Sequence, residues 1–138
     1  MTRTTKTWIR AAILATVLAA GAVPGTRAGG FSFTFAWGNI PRCGTGFPGK
    51  VTNPVFTLSD VPAGTATLVF MLRDLDAPGF DHGGGTVRYQ RQTVIRPGAF
   101  RYRSPCPPSG RHTYQWRITA LDGNGRALAI ATAEKVYP

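Results

Sequence analysis

Apolar and polar positions alternate along much of the chain with the two-residue period of a β-strand. Over residues 31–37, four aromatic side chains alternate with small residues, which predicts a strand with one buried aromatic face. Helical periodicity is almost absent after residue 28, so the pattern predicts a mainly β domain. A second alternating stretch, residues 112–120, places on its apolar face His112, Tyr114, Trp116, Ile118 and Ala120.

Further strands are predicted between these two stretches and after them. Residues 67–72 form a near-continuous apolar run, which is typical of a central strand covered on both faces. Residues 55–58 and 86–95 are predicted to be extended. Residues 127–136 are also predicted as a strand, although their alanines would allow a helix as well.

Glycine and proline mark the predicted loops. Residues 38–54 are rich in both and are predicted to form a long loop. Pro78-Gly79 and Gly83-Gly84-Gly85 predict a second loop, directly after the apolar strand. Asp122-Gly123-Asn124-Gly125 is a strong hairpin signal and predicts that the strands on either side of it pair.

The first 28 residues are typical of an export signal. A basic start is followed by residues 11–23, which are apolar and uncharged and too short to span a bilayer. Small residues at the end of this segment predict cleavage after Ala28. We therefore expect one domain over residues 29–138, secreted or periplasmic in a bacterium, and the alternative is an uncleaved anchor helix.

The chain is strongly basic, with a formal net charge of +10. Seven arginines fall within thirty residues and predict a continuous cationic face suited to phosphate or carboxylate partners. The alternative is an ordinary solvated surface, and export argues against nucleic acid as the partner. The seven are Arg88, Arg91, Arg96, Arg101, Arg103, Arg111 and Arg117.

The chain contains two cysteines, Cys43 and Cys106. An even number of cysteines in an exported protein predicts one disulfide bond, which ties the loop of residues 38–54 to residues 105–108. Metal ligation is the weaker alternative, because a zinc site needs about four ligands and only two histidines are present to complete it. No metal or cofactor is predicted.

Two separated segments of the chain carry the polar chemistry of a candidate anion site. They supply the carboxylate of Asp74, the only two histidines (His82 and His112) and the phenol of Tyr114. Imidazole and phenol groups can donate hydrogen bonds to phosphate, whereas a carboxylate cannot. We expect Asp74 to accept from an imidazole N–H, which fixes the tautomer and favours a charged donor for the ligand. The structural alternatives are a satisfied His-Tyr pair at a strand end and turn capping by Asp74 and Asp76.

Four motifs, taken in their order and spacing, give the chain its resemblance to the phosphatidylethanolamine-binding protein family. The likeness is to its short bacterial exported branch, which is related to the Raf-kinase-inhibitor-like proteins, and it covers most of residues 31–138. Any single motif would be weak evidence. The four are Pro54-Val55-Phe56-Thr57-Leu58-Ser59-Asp60-Val61-Pro62-Ala63-Gly64-Thr65, Asp74-Leu75-Asp76-Ala77-Pro78-Gly79, Pro105-Cys106-Pro107-Pro108-Ser109-Gly110-Arg111-His112-Thr113-Tyr114 and Thr119-Ala120-Leu121-Asp122.

The resemblance implies a fold of packed antiparallel sheets with long Gly/Pro loops and little helix. It also implies a small pocket for a phosphate-like anion or a phospholipid head group, and action as an inhibitor or modulator of a protein target. Matched motif by motif, the implied pocket residues are Asp74, His82, Pro107, Pro108, His112 and Tyr114.

The chain departs from the family pattern in three places. The usual Asp-Pro-Asp is here Asp74-Leu75-Asp76, and the usual His-Trp is replaced by His82-Gly83, which removes an aromatic wall. The part after Asp122 is shorter than in typical members and lacks the helix that often closes the pocket. A wider or shallower pocket is therefore predicted.

A non-catalytic binding protein is the function that the sequence favours. A non-covalent hydrolase that uses His82 or His112 with Asp74 is a weaker alternative, because no activated nucleophile accompanies them. Ser109 lies in a Pro-Ser-Gly turn without an elbow motif. The remaining alternative is a protein-interaction module that uses the arginine-rich surface.

Overall fold

The computed structural model describes residues 30–137, and this part is built from strands without any helix. The mainly β prediction is therefore confirmed. The signal peptide predicted for residues 1–28 lies outside the described residues. Within residues 30–137 no helix has the length and apolarity needed to cross a bilayer. The strands are β1 (Ser32–Ala36), β2 (Lys50–Thr52), β3 (Val55–Ser59), β4 (Thr67–Asp74), β5 (Asp81–Arg88), β6 (Val94–Ile95), β7 (Arg101–Arg103), β8 (His112–Leu121) and β9 (Ala127–Tyr137).

Two antiparallel sheets pack against each other around an aromatic core. The larger sheet has the order β5-β4-β8-β9 and the smaller has the order β1-β3-β6. Phe56 of the smaller sheet meets Trp116 of the larger sheet edge-on, with ring centroids 5.1 Å apart. The alternation predicted for β1 and β8 is confirmed, since each strand buries every second residue. The buried residues on these two strands include Phe33, Phe35, Tyr114, Trp116, Ile118 and Ala120.

A two-stranded ribbon of β2 and β7 lies beside β5. Neither strand was predicted, and β2 falls in the segment 38–54 that was predicted to be entirely loop. Tyr102 of β7 packs on Trp116 at 5.0 Å. The buried amide of Asn53 holds the ribbon in place, because it donates to the carbonyl of Arg96 and accepts from the N–H of Phe100.

Strand β4 is central in the larger sheet, as predicted, but only one of its faces is covered. Leu68, Phe70 and Leu72 are buried, whereas Met71 on the opposite face is 44 % exposed. The prediction of cover on both faces is wrong, because within residues 30–137 nothing packs over the outer face at Met71. The apolar run reflects a buried inner face combined with apolar residues on the open side.

The triple glycine lies inside β5, so the prediction of a loop there is wrong. A Cβ on Gly84 would lie 1.9 Å from the carbonyl oxygen of Phe70, and one on Gly85 would lie 2.3 Å from the Phe100 side chain. Both positions therefore need glycine for close contact within the sheet and its packing. Glycine marks turns and close approaches alike, and the sequence alone does not separate the two.

The remaining extended predictions are mostly confirmed. Residues 127–136 form β9 and contain no helix, and β9 pairs with β8 through the predicted hairpin. In that hairpin the carboxylate of Asp122 accepts from the N–H groups of Asn124 and Arg126, at 2.9 Å each. The extended segment predicted for residues 86–95 is interrupted, because β5 ends at Arg88 and β6 begins only at Val94.

Candidate functional site

The register between β4 and β8 places a carboxylate beside an imidazole. Asp74 is the last residue of β4, and its partner across the sheet is Tyr114 of β8. His112 lies two residues before Tyr114 in the same strand, and its Nδ1 is 2.7 Å from Oδ2 of Asp74. A carboxylate can only accept, so Nδ1 of His112 carries the proton and Nε2 remains available for another partner.

The environment of Asp74 favours its charged form. The residue is 3 % exposed, and its second oxygen accepts from the N–H groups of Asp76 and Ala77 at 2.9 and 3.0 Å. Burial alone would raise the pKa of Asp74, but the hydrogen bonds from His112 and the two amides outweigh burial and hold the pKa below its ordinary value. Asp74 is thus an ionised acceptor at neutral pH.

The lowered pKa of Asp74 predicts a loss of stability in acid. The unfolded chain takes up a proton at Asp74 near the ordinary pKa of 3.8, before the folded chain does. The contribution of Asp74 is therefore present above that pH and is lost as the pH falls through the lower folded value. Urea unfolding of the wild type is expected to show a steeper loss of stability below about pH 4 than the Asp74→Asn variant shows.

Asp60→Asn provides the matched control for this titration. Asp60 is exposed and has a positive φ of 53°, a conformation that asparagine also tolerates. The free energy of unfolding of this variant is expected to change with pH as that of the wild type does. If the stability of Asp74→Asn changes with pH as that of the wild type and of Asp60→Asn does, the hydrogen bonds of Asp74 do not contribute to stability.

A β-bulge turns His82 toward the site. Met71 pairs with Gly84 and Arg73 pairs with Asp81, so β5 holds one extra residue between these pairs. Gly83 has a φ of +71°, the left-handed conformation that glycine supplies at many bulges. In a regular strand His82 would share the outer face of Gly84, but here its ring is buried and only 3 % exposed.

His82 is held in place by its contacts on three sides. Its Nδ1 lies 2.9 Å from the carbonyl oxygen of Arg103, so Nδ1 donates. Its ring packs on Phe80 at 4.7 Å and meets the ring of Tyr114 edge-on at 5.4 Å. Tyr114 in turn stacks on His112 at 6.3 Å, so the phenol lies between the two imidazoles.

A small cavity of about 170 Å³ opens beside these groups. Three of the six predicted residues line it, namely Asp74, His82 and Pro108. The other three belong to the layer behind its wall: Pro107 is buried, His112 bonds to Asp74, and Tyr114 contacts both histidines. The remaining wall comes from residues that the motifs did not single out for the pocket, namely Gly46, Pro48, Ala77, Phe80 and Cys106.

Phe80 supplies the aromatic wall that the sequence was predicted to lack. It lies two residues before His82, and its ring both lines the cavity and packs on the imidazole. The motif places an aromatic residue after the histidine, whereas in this chain Phe80 comes before it. Phe80 therefore gives the cavity an aromatic wall beside His82, and the wider or shallower pocket stays a prediction.

The predicted disulfide bond between Cys43 and Cys106 is present. It joins the loop before β2 to the segment before β8. Gly46 and Pro48 come from the first of these segments, and Cys106 and Pro108 come from the second, so the bond connects two sides of the cavity wall. A disulfide of this kind is expected in an oxidising compartment.

The hydroxyl of Tyr114 is buried and unpartnered. It lies near the carboxylate of Asp74 and the backbone of Cys106, but it meets the geometry of a hydrogen bond with neither. Burial, reinforced by the negative charge of Asp74, raises the pKa of Tyr114 well above its ordinary value. The hydroxyl therefore remains a neutral donor throughout the physiological range.

Asp76 acts in the local turn structure. Its carboxylate accepts from the N–H of Thr113 at 2.6 Å, which ties the loop after β4 to β8. One ligand atom from each of Asp74, Asp76 and His112 lies within 4.8 Å of the other two, a spacing that a metal ion would also accept. All three groups are engaged in hydrogen bonds with the protein, so the arrangement is that of a hydrogen-bonded cluster.

The arginines of residues 88–117 do not form the single continuous face that was predicted. Arg101 and Arg103 extend outward from β7, whereas Arg117 lies on the open face of the larger sheet, in a depression with Met71 and Arg73. Separate depressions elsewhere contain Arg91 and Arg111. The positive charge is divided among several surfaces.

Comparisons with known proteins identify the fold. No protein-family model and no curated protein sequence matches the chain. Solved structures that are similar to it include a phosphatidylethanolamine-binding protein homologue from Chlamydia trachomatis and YbcL from E. coli, a member of the mammalian phosphatidylethanolamine-binding protein family. Their sequence identities are 18 % and 21 % and their TM-scores are 0.56 and 0.57. Each match covers 78 % of this chain and 97 % of the other.

At these identities the likeness establishes the fold. The packed antiparallel sheets that the sequence motifs implied are confirmed, both by the strand topology and by the two solved structures. The chain therefore has the fold of the phosphatidylethanolamine-binding proteins.

Proposed function

We propose that this protein is an exported bacterial, non-catalytic binding protein of the phosphatidylethanolamine-binding protein family. Its ligand is a phosphate-like anion or a phospholipid head group, held in the cavity beside Asp74. The observation that carries the proposal is the 2.7 Å hydrogen bond between Asp74 and His112, which lies next to a cavity also lined by His82. The fold shared with the two solved structures supports the family assignment.

The size of the cavity favours a small ligand group. Its volume of about 170 Å³ is below the range of roughly 300–1,000 Å³ found for sites that enclose drug-sized molecules. A phosphate or phosphoethanolamine group suits this volume better than a whole lipid does. Any acyl chains would remain outside the cavity.

The donors near the cavity suit an anion. The Nδ1 atoms of both histidines are engaged, by the Asp74 carboxylate and by the Arg103 carbonyl. His82 lines the cavity and offers its Nε2 to a ligand there, whereas His112 acts through Asp74. A protonated Nε2 is a charged donor, which forms the stronger class of hydrogen bond to phosphate. The unpartnered hydroxyl of Tyr114 is buried behind the wall, near Asp74.

The surroundings of the histidines support a binding role over catalysis. Within residues 30–137, the hydrogen bonds of His82 and His112 run to a backbone carbonyl and a carboxylate, and none runs to a hydroxyl or a thiol. Nucleophilic catalysis requires such a contact between nucleophile and base. Ser109 is exposed in its turn. We also propose that the protein acts as an inhibitor or modulator of another protein, because the family resemblance implies such a role.

Export is supported by two independent features. The basic and apolar pattern of residues 1–28 is that of a signal peptide, and the disulfide bond between Cys43 and Cys106 fits an oxidising compartment. We propose a periplasmic or secreted location on these grounds.

The Tm measured with and without phosphoethanolamine tests whether the cavity binds this ligand. At a ligand concentration of about 100 times Kd, binding to the folded state alone contributes about 2.7 kcal/mol, which raises the Tm of a domain of this size by about 10 °C. We expect this increase in the wild type. His112→Ala is expected to abolish it, because it removes the imidazole that holds the Asp74 carboxylate in the cavity wall and leaves that carboxylate facing the anion alone.

Thr113→Ala is the matched control, since Thr113 is adjacent in β8 but faces the opposite side of the sheet. This variant is expected to retain the full increase in Tm. An equal increase in the wild type and in His112→Ala would contradict the assignment of the cavity. Ester hydrolysis that is lost in Asp74→Asn would contradict the non-catalytic part of the proposal and favour the hydrolase.

A further inference from the structure

Three cations gather in a shallow cleft that adjoins the candidate cavity at His82. The cleft has a volume of about 260 Å³ and is lined by Lys50 of β2, by Arg101 and Arg103 of β7, and by the first residues of β5. His82 belongs to the walls of both the cleft and the cavity. The two depressions otherwise have different lining residues.

The strand register forces two of these charges together. Lys50 of β2 is the direct cross-strand partner of Arg103 of β7. Like charges placed directly opposite each other destabilise a pair of strands. The ribbon therefore contains an unfavourable pair that local sheet formation does not explain.

The two arginines are positioned by backbone carbonyls and not by carboxylates. Arg101 donates from Nη2 to the carbonyl of Lys50 at 2.8 Å, and Arg103 donates from Nη1 to the carbonyl of Asp81 at 3.0 Å. In residues 30–137 the close contact between an acidic and a basic side chain is that of Asp74 with His112. All six acidic side chains of the chain fall within these residues, so none of them neutralises the cleft cations through an ion pair.

Asp81 is the one carboxylate at the cleft, and it is already engaged. Its Oδ1 accepts from the N–H of Gly83 at 2.8 Å, within the bulge of β5. Three cations thus face one carboxylate in a concave site, and the anchored guanidinium groups keep further N–H donors free. This is the arrangement in which arginine recognises phosphate oxygens, often with two parallel hydrogen bonds.

We propose that the cleft formed by Lys50, Arg101 and Arg103 is a second anion site that binds phosphate groups. It is separate from the cavity beside Asp74 and does not depend on the function proposed there. The chemistry that it recognises is a cluster of phosphate oxygens, presented either by a soluble phosphorylated molecule or by the head groups of anionic phospholipids.

Titration calorimetry with inorganic pyrophosphate tests the site in solution. We expect the wild type to bind, and we expect the R101Q/R103Q double variant to lose about tenfold in affinity or more, because it removes the charged hydrogen bonds from both guanidinium groups to the phosphate oxygens. R88Q/R117Q removes the same number of charges from the open face of the larger sheet, and its affinity is expected to change by less than about twofold. Unfolding curves of both double variants verify that each remains folded.

His112→Ala separates this site from the candidate cavity. Pyrophosphate binding is expected to persist in His112→Ala and to fall again when R101Q/R103Q is added. Binding that His112→Ala abolishes would place pyrophosphate in the cavity and overturn the proposal of a second site. An equal loss in R88Q/R117Q and R101Q/R103Q would show general charge attraction and would also overturn it.

Co-sedimentation with phosphatidylcholine vesicles, with and without phosphatidylglycerol, distinguishes the two sources of phosphate. Binding to the phosphatidylglycerol vesicles alone, lost in R101Q/R103Q, would assign the site to anionic lipid head groups. Binding to pyrophosphate alone, lost in the same variant, would assign it to soluble phosphorylated molecules. Binding to neither probe would overturn the proposal.

Discussion

Replacing Gly84 with alanine is expected to destabilise the domain by about 3 kcal/mol or more. A Cβ at this position would lie 1.9 Å from the carbonyl oxygen of Phe70, so β5 and β4 must separate locally to accept it. The obstacle is backbone and cannot rotate away as a side chain can. Urea unfolding of the Gly84→Ala variant at neutral pH measures the loss.

Gly79→Ala is the control for this substitution. Gly79 lies in the loop before β5, outside the left-handed backbone region, and no atom lies within 4 Å of a Cβ built at its position. Its unfolding midpoint is expected to remain close to that of the wild type. A Gly84→Ala variant as stable as Gly79→Ala would mean that β5 does not approach β4 as closely as described.

Replacing both cysteines with serine is expected to lower the free energy of unfolding by about 4 kcal/mol. The bond between Cys43 and Cys106 spans 63 positions in the sequence, and the estimate follows from the loop-closure entropy that the cross-link removes from the unfolded chain. A loss of this size is a large share of the 5–15 kcal/mol typical of a domain. Urea unfolding under non-reducing conditions measures it.

A reductant provides the internal control for the disulfide. Reduction is expected to bring the wild type to the stability of the double-serine variant and to leave that variant unchanged. Because Gly46 and Cys106 stand on the two sides that the bond connects, the variant is also expected to bind phosphoethanolamine more weakly at temperatures where it is folded. Wild-type stability that does not respond to reduction would contradict the entropic contribution of this bond.

The strands with a clear alternation could be predicted because burial of one face leaves a two-residue period in the sequence. Strand β8 shows this best, since the parity of its residues put His112 and Tyr114 on the face of Trp116, where the structure has them. The short strands β2 and β7 contain three residues each, too few to show a period. Their pairing depends on packing against β5 and on the hydrogen bonds of Asn53.

The candidate site, like the strands, could be predicted from the sequence only in part. The motifs drew attention to Asp74 and to both histidines, and the hydrogen bond between Asp74 and His112 agrees with the role assigned to the carboxylate. The motifs did not identify Phe80 as a wall of the cavity, because its neighbour in space, His82, is brought there by an irregular strand.

By itself, the sequence determined the class of fold, the disulfide-bonded pair and the set of polar groups available for a site, because these depend on composition, periodicity and motif order. The tertiary structure alone decided which groups meet. The β4–β8 register sets Asp74 beside Tyr114, a single extra residue in β5 turns His82 inward, and the β2–β7 register opposes Lys50 and Arg103. Register and bulge position arise from contacts between distant strands, and no local stretch of the chain contains that information.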